Sequence, residues 1–202
     1  MFIQVIQGKV ADADRLRRTL DSWMSDVQPG AIGWLGSTGG VTDDGMFVMT
    51  ARFESADAAR RNSDRPEQGA WWSEAEKCFD GPVTFFDCPQ VDTWMQGGSD
   101  SAGFVQIMEG QTSDAERMRE LMQRYADEMH RMRPEIIGAT FALHGDGSYV
   151  DTIYFTSEQE ARQGETMEPT GEMAEMLSEE QRLMGDVTYL DLHQPWLMSP
   201  SR

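Results

Sequence analysis

The chain has 202 residues, with 35 Asp or Glu against 17 Lys or Arg and a formal charge of −18. That balance argues against nucleic acid, whose phosphates need clustered Lys and Arg, and against anionic membrane surfaces, which recruit the same residues. No run approaches the ~18 apolar residues of a membrane span. Met1-Phe2-Ile3-Gln4 lacks the basic stretch and small-residue cleavage site of a secretory signal, so a cytoplasmic location is expected. Cys78 and Cys88 are too few for a disulfide framework and read as reduced, structural thiols.

Residues 2–7 are apolar and rich in strand formers, with Gly8 as punctuation, and read as a strand. From Asp12, a plausible N-cap, Leu16, Leu20, Trp23, Met24 and Val27 recur at helical spacing. That amphipathic helix ends before Pro29-Gly30. Ala31 to Ser37 and Met46 to Phe53 read as two strands, joined by a glycine-rich hairpin loop from Thr38 to Gly45. Ser55 caps a second helix, which runs to about Phe79 and is interrupted near Pro66, where the ring removes a backbone donor. Val83 to Cys88 is a last strand. The order is β-α-β-β-α-β.

The chain then repeats itself. Phe2-Ile3-Gln4-Val5-Ile6-Gln7-Gly8 returns as Phe104-Val105-Gln106-Ile107-Met108-Glu109-Gly110, and Asp12-Ala13-Asp14-Arg15 as Asp114-Ala115-Glu116-Arg117. Phe104 stands 102 positions after Phe2, and the same offset joins Phe53-x-Ser55 to Phe155-x-Ser157 and Ala59-Arg60 to Ala161-Arg162. Val83-Thr84-Phe85 meets Val187-Thr188-Tyr189 at an offset of 104. One register held across so many sites reads as a tandem duplication. The expected units are 1–88 and 103–193, with a Pro-, Gly- and Ser-containing linker at 89–102 and a tail at 194–202. Val91 to Met95 in the linker is a candidate exchanged strand, and the Pro-flanked tail is expected over a sheet edge. In the second unit, helices are expected at 113–131 and 157–183. Both open with a capping box, Ser113-x-x-Glu116 and Ser157-x-x-Glu160. Met118, Met122, Met129 and Met132 form a stripe at helical spacing in the first of these and read as core.

Two such units make an α+β protein with two tandem ferredoxin-like, four-stranded antiparallel sheets, each covered by helices on one face. The bare faces need burial, and the nearest partner for each is the other unit, which gives an intramolecular barrel. Two independent domains that each dimerise with another chain are the alternative, and unpaired sheet edges leave a homodimer open.

The opening strand, Arg52-Phe53-Glu54-Ser55 and the Trp71-Trp72 pair resemble the dimeric α+β barrel proteins, in particular their antibiotic-biosynthesis monooxygenase-like branch, here as a fused tandem repeat. The resemblance covers nearly the whole chain. It implies a binding site for a small apolar or aromatic molecule. The family includes cofactor-independent oxygenases of aromatic polyketides and quinols, haem-degrading enzymes, and many members with no assigned activity. Haem-degrading relatives carry an Asn in the first strand, where Gln4 and Gln106 stand here. They carry a Trp near the position of Asn62 and a ligating His near Trp71 and Trp72. No His occurs in the first hundred residues, so no haem, and no other cofactor or metal, is expected.

Gln4 and Gln106 are polar residues within apolar strands and occur in both units, which makes them candidates for a functional pair or for structural hydrogen bonds. Trp34, Trp71 and Trp72, with Asn62, are candidate walls of a pocket, or core. Arg52 and Tyr154 hold equivalent third-strand positions, suited to an acidic or enolate group and to a substrate oxygen. His193 beside Asp191 is the one acid-base pair the spacing offers. His130 reads as a helix C-terminal cation, His144 as a loop residue. Two functions fit. One is a cofactor-independent monooxygenase acting on an apolar aromatic or quinol compound, with Gln4, Gln106, Tyr154 and His193 as the catalytic candidates. The other is a non-catalytic small-molecule-binding or stress-related barrel, favoured by the absence of an evident base.

Overall fold

The computed structural model describes residues 1–95 and 97–200. Gln96 of the expected linker and Ser201 and Arg202 of the expected tail lie outside the described residues. The chain divides into two compact units, Met1–Pro89 together with the residues from Pro195 onward, and Gln90–Gln194.

The first unit runs β1 (Phe2–Lys9), α1 (Ala13–Asp26), β2 (Trp34–Val41), β3 (Met46–Phe53), α2 (Ala56–Ser63), α3 (Pro66–Ala75) and β4 (Thr84–Cys88). The second runs β5 (Gln90–Trp94), β6 (Phe104–Gln111), α4 (Ala115–Met132), β7 (Ile136–Leu143), β8 (Ser148–Phe155), α5 (Glu158–Glu165), α6 (Glu172–Met184) and β9 (Val187–Leu192). The last described strand, β10 (Trp196–Met198), returns to the first unit. Each unit is thus a ferredoxin-like α+β sheet with one additional edge strand. The strand orders are β10-β2-β3-β1-β4 and β5-β7-β8-β6-β9, antiparallel throughout. Registers match as well: Gln4 faces Ala51 across β1 and β3, and Gln106 faces Ile153 across β6 and β8, each 102 positions later.

The additional strands supply partners to edges whose backbone groups would otherwise lack them. Gln90–Trp94, inside the expected linker, pairs with β7, and Trp196–Met198 pairs with β2 just past Pro195. A proline at the start of an edge strand costs no ladder hydrogen bond.

Three local expectations are corrected. The hairpin loop after β2 is only 42–45, because Gly39 lies flat against β3: a Cβ there would sit 2.6 Å from the Val48 carbonyl oxygen. Glycine therefore extends the strand here where it was read as a loop. The second helix of the second unit is two helices, since Pro169 and a left-handed Gly171 (φ +61°) interrupt it. At the start of α4 the cap is Asp114, whose carboxylate accepts from the Arg117 amide at 3.0 Å, and Ser113 stands one residue outside. The caps at Asp12, Ser55 and Ser157 are as read.

These positions make a discriminating test. Asp114→Ala is expected to lower the stability of the second unit by about 1 kcal/mol in urea denaturation, and Ser113→Ala by less than half of that.

Candidate functional site

The helix-facing side of the first sheet is filled. Phe47, Met49, Ala51 and Phe53 of β3 join Leu16, Leu20 and Trp23 of α1 in one apolar cluster. Trp23 stands edge-on to Trp34 at 4.9 Å and to Trp71 at 6.3 Å. All three indoles have acceptors: Trp23 donates to Gln68 Oε1, Trp34 to Ser37 Oγ, and Trp71 to the Thr19 carbonyl, at 2.8–2.9 Å. Trp72 lies against Phe85 of β4, ring to ring at 5.1 Å. Asn62 accepts from the Ile32 amide and from Arg65, tying α2 to the approach of β2. These side chains are spent on packing and hydrogen bonds within their own unit.

In the second unit the described apolar residues of this layer fall into smaller clusters, two of which share Leu183. Beside them lies a cavity of about 610 Å³ whose walls come from β5, β6, β7, β8, β9, α4, α5 and α6. Ligand pockets of small molecules span roughly 300–1,000 Å³. Trp94, Tyr125 and Phe155 line it together with Met95, Met108, Met122, Met129, Met176 and Met184. The methionine stripe of α4 is therefore divided: Met118 is core, packed on Phe141 and Tyr149, while Met122 and Met129 face the cavity. Met95 holds a left-handed φ of +45° at the cavity wall. For a non-glycine residue that conformation costs on the order of 1 kcal/mol.

Among the described residues, the charged ones lining this cavity are Arg133, Asp151, Arg162, Glu165 and Glu180. Arg133 is paired with Glu135 and donates to the Ala161 carbonyl at 3.2 Å. Arg162 pairs with Asp191 and, at 2.9 Å, with Glu165. That leaves the two carboxylates Asp151 and Glu180. Asp151 sits mid-strand in β8, opposite Met108 of β6 and Phe141 of β7, and is 4% exposed. Its Oδ1 has no hydrogen-bond partner. Burial, and then the neighbouring charge of Glu180, push its pKa up to about 8 against the pull of the Thr152 amide. Burial pushes Glu180 up to about 7. Behind them, the buried Tyr149 hydroxyl is likewise unpartnered. It fits only because Gly110 faces it: a Cβ there would lie 2.6 Å from that oxygen. Burial first, and then Asp151, hold Tyr149 well above the ordinary phenol value. An apolar cavity with a carboxyl that titrates near neutrality can accept a proton from a weak acid.

Of the candidate catalytic and substrate-binding residues named from the sequence, Gln106 alone lines the cavity. It donates to Asp191 Oδ1 at 2.9 Å, and Gln4 donates to Asp87 Oδ1 at 3.0 Å, the same bond in each unit. Asp191 also receives Arg162, and His193 Nδ1 meets Glu158 Oε2 at 2.7 Å. Tyr154 and Arg52 alternate with the helix-facing residues and so point to the opposite face of their sheets, both buried. Arg52 donates there to Thr38 Oγ1 at 2.9 Å. His130 is in the last turn of α4. Asp151 and Glu180 escaped the sequence reading, although two signals mark them. Asp151 occupies the position of Met49, 102 residues earlier, as the one charged residue of its strand. Glu180 continues the inward spacing Met176, Glu180, Met184 along α6.

The raised pKa values give a stability prediction. A carboxyl whose folded pKa lies above its unfolded value stabilises the fold only while protonated. That contribution is lost as pH rises from about 4 to about 8. The melting temperature of the wild-type chain is expected to fall over that window. In Asp151→Asn most of this fall is expected to disappear, leaving the variant close to wild type at pH 5 and more stable at pH 9.

No protein family and no curated protein matches the chain in sequence. Solved structures do match in fold. A candidate monooxygenase from Lactobacillus acidophilus NCFM superposes with a TM-score of 0.76 at 13% identity, covering 98% of this chain and 95% of that one. A second candidate monooxygenase, from Fusobacterium nucleatum, gives 0.75 at 5% identity over 98% and 94%. An anthrone oxidase-like protein gives 0.65 at 7% identity over 99% and 91%. Over about 98% of its length the chain superposes on the fold of these proteins, the ferredoxin-like α+β fold that its opening strand and Arg52-Phe53-Glu54-Ser55 led us to expect.

Proposed function

We propose that the cavity of the second unit binds a small apolar molecule bearing a weakly acidic C–H, and that Asp151 removes this proton in a cofactor-independent oxygenation. The observation that carries the reading is the buried Asp151 carboxyl, one oxygen of which has no hydrogen-bond partner, at an apolar cavity wall. It supplies the base that the sequence alone did not offer. For a substrate with an activated methylene group, Asp151 takes one proton and the carbanion joins dioxygen to form a peroxide anion. The carboxylic acid then returns the proton, and the hydroperoxide loses water to leave a ketone at the former methylene carbon. One oxygen atom of dioxygen ends in the ketone and the other in water. The dry wall of methionine and aromatic side chains keeps the carbanion from being quenched. Gln106, held by its bond to Asp191, has a second amide hydrogen to offer a developing oxyanion. The names of the structural neighbours, monooxygenase and anthrone oxidase-like, agree with this chemistry.

The test is oxygen consumption with a panel of anthrones and quinols. For a substrate that is turned over, kcat/KM is expected to rise with pH and level off above about 8. Asp151→Asn is expected to lower the rate by about 10²–10⁴-fold with binding retained. Gln106→Ala is expected to cost about tenfold, less than a donor aimed at full charge would. A variant at Asp151 that keeps the wild-type rate would remove the base from the account.

A further inference from the structure

The charges around the cavity do not cancel. Both arginines in its wall are already answered, Arg133 by Glu135 and Arg162 by Asp191 and Glu165. The other titratable groups near Asp151 are Glu180 from α6 and Tyr149 of its own strand, and Tyr189 of β9 lines the same cavity. None of these brings a positive charge. Two carboxyls therefore face an apolar space with no cation among the described residues to pair with, and one carboxyl oxygen has no hydrogen bond at all. A lone carboxylate in such surroundings is costly and stays neutral by holding its proton. The remaining wall suits a positive charge in a second way. Trp94, Tyr189 and Phe155 contribute aromatic rings to the lining, as does Tyr125, whose ring already has the Arg124 guanidinium 5.1 Å from its centroid, and methionine sulfur is polarisable.

We propose that the ligand of this cavity is a hydrophobic organic cation, an aromatic amine or a quaternary onium compound, which enters in exchange for a proton held by the Asp151–Glu180 pair. The proposal rests on the cavity being the binding site and specifies the class of molecule it takes. It also fits the chemistry above, because a positive charge close to a C–H makes that C–H more acidic. One carboxylate answers the ligand's charge and the other remains the base. The ring bodies of such compounds fill the apolar volume, and the onium centre reaches the β8 wall.

The experiment uses the full chain and three probes of similar shape: tetraphenylphosphonium, neutral triphenylphosphine oxide, and anionic tetraphenylborate. Binding is followed by calorimetry at high ionic strength, which screens the general attraction of a chain of formal charge −18. The cation is expected to bind at least tenfold more tightly than the neutral compound at pH 8.5 and to weaken by about tenfold toward pH 6, as the carboxyls protonate. At pH 7, titrations in two buffers of different ionisation enthalpy are expected to show proton release. Glu180→Gln is expected to weaken the cation about tenfold and leave the neutral compound unchanged. Equal binding of cation and neutral probe, or cation affinity independent of pH, overturns the charge assignment while the cavity stands as a binding site. Binding of none of the three overturns the site itself. The wild-type pH series decides the matter even if a variant fails to fold.

Discussion

Each unit of this protein covers one face of a sheet with helices, and whatever stands at the centre of that face decides whether the layer closes. In the first unit the central position of β3 is Met49, surrounded by Leu16, Leu20, Trp23 and Phe47 in a continuous cluster. In the second, 102 residues later, it is Asp151. A short acidic side chain does not share the apolar surface of the helices, and around it the described apolar residues form smaller clusters beside a cavity. Burying a Met-sized side chain contributes roughly 1.5–3 kcal/mol. The second unit forgoes that at its centre, and the cavity is what it has in return.

Electrostatics set the character of the space. Where the second unit has cations near its cavity, it neutralises them locally, so that Arg133 and Arg162 end in ion pairs and in bonds to backbone. Asp151 and Glu180 are left without such answers, and their environment raises both pKa values into the neutral range. A core assembled for stability alone would pair these groups or replace them. Strained or unsatisfied positions that cluster together are more often part of a working site than of a scaffold. Here a left-handed Met95 and an unpartnered Asp151 oxygen line one cavity, and an unpartnered Tyr149 hydroxyl lies on the same strand as Asp151.

Much of the fold was legible because the chain states it twice. Apolar alternation in 2–7 and 104–109, the caps at Asp12, Ser55 and Ser157, and the shared offset led directly to two β-α-β-β-α-β units. Glycine was the weak point. Gly39 is chosen for close approach of two strands and reads like a loop residue, and the Pro169–Gly171 break was hidden in an acidic, helix-favouring stretch. The site was less legible for a physical reason: repeated residues mark what both units share, which is the scaffold. The Gln4–Asp87 and Gln106–Asp191 bonds are such shared features. Function is read more readily from the departure, one acidic residue where the other copy has methionine. Aromatic content pointed to the first unit, but Trp23, Trp34 and Trp71 close that layer and satisfy one another's surroundings.

Both the base and the cation site depend on the ionisation of Asp151. Carbon-13 NMR of the aspartate carboxyls, with Asp151 assigned through Asp151→Asn, would follow its titration directly. The structure predicts an inflection near 8, shifted down when a hydrophobic cation is bound. An inflection near 4, the value of a solvated aspartate, would mean that Asp151 meets water or a partner in solution, and both the base and the cation site would fall with it.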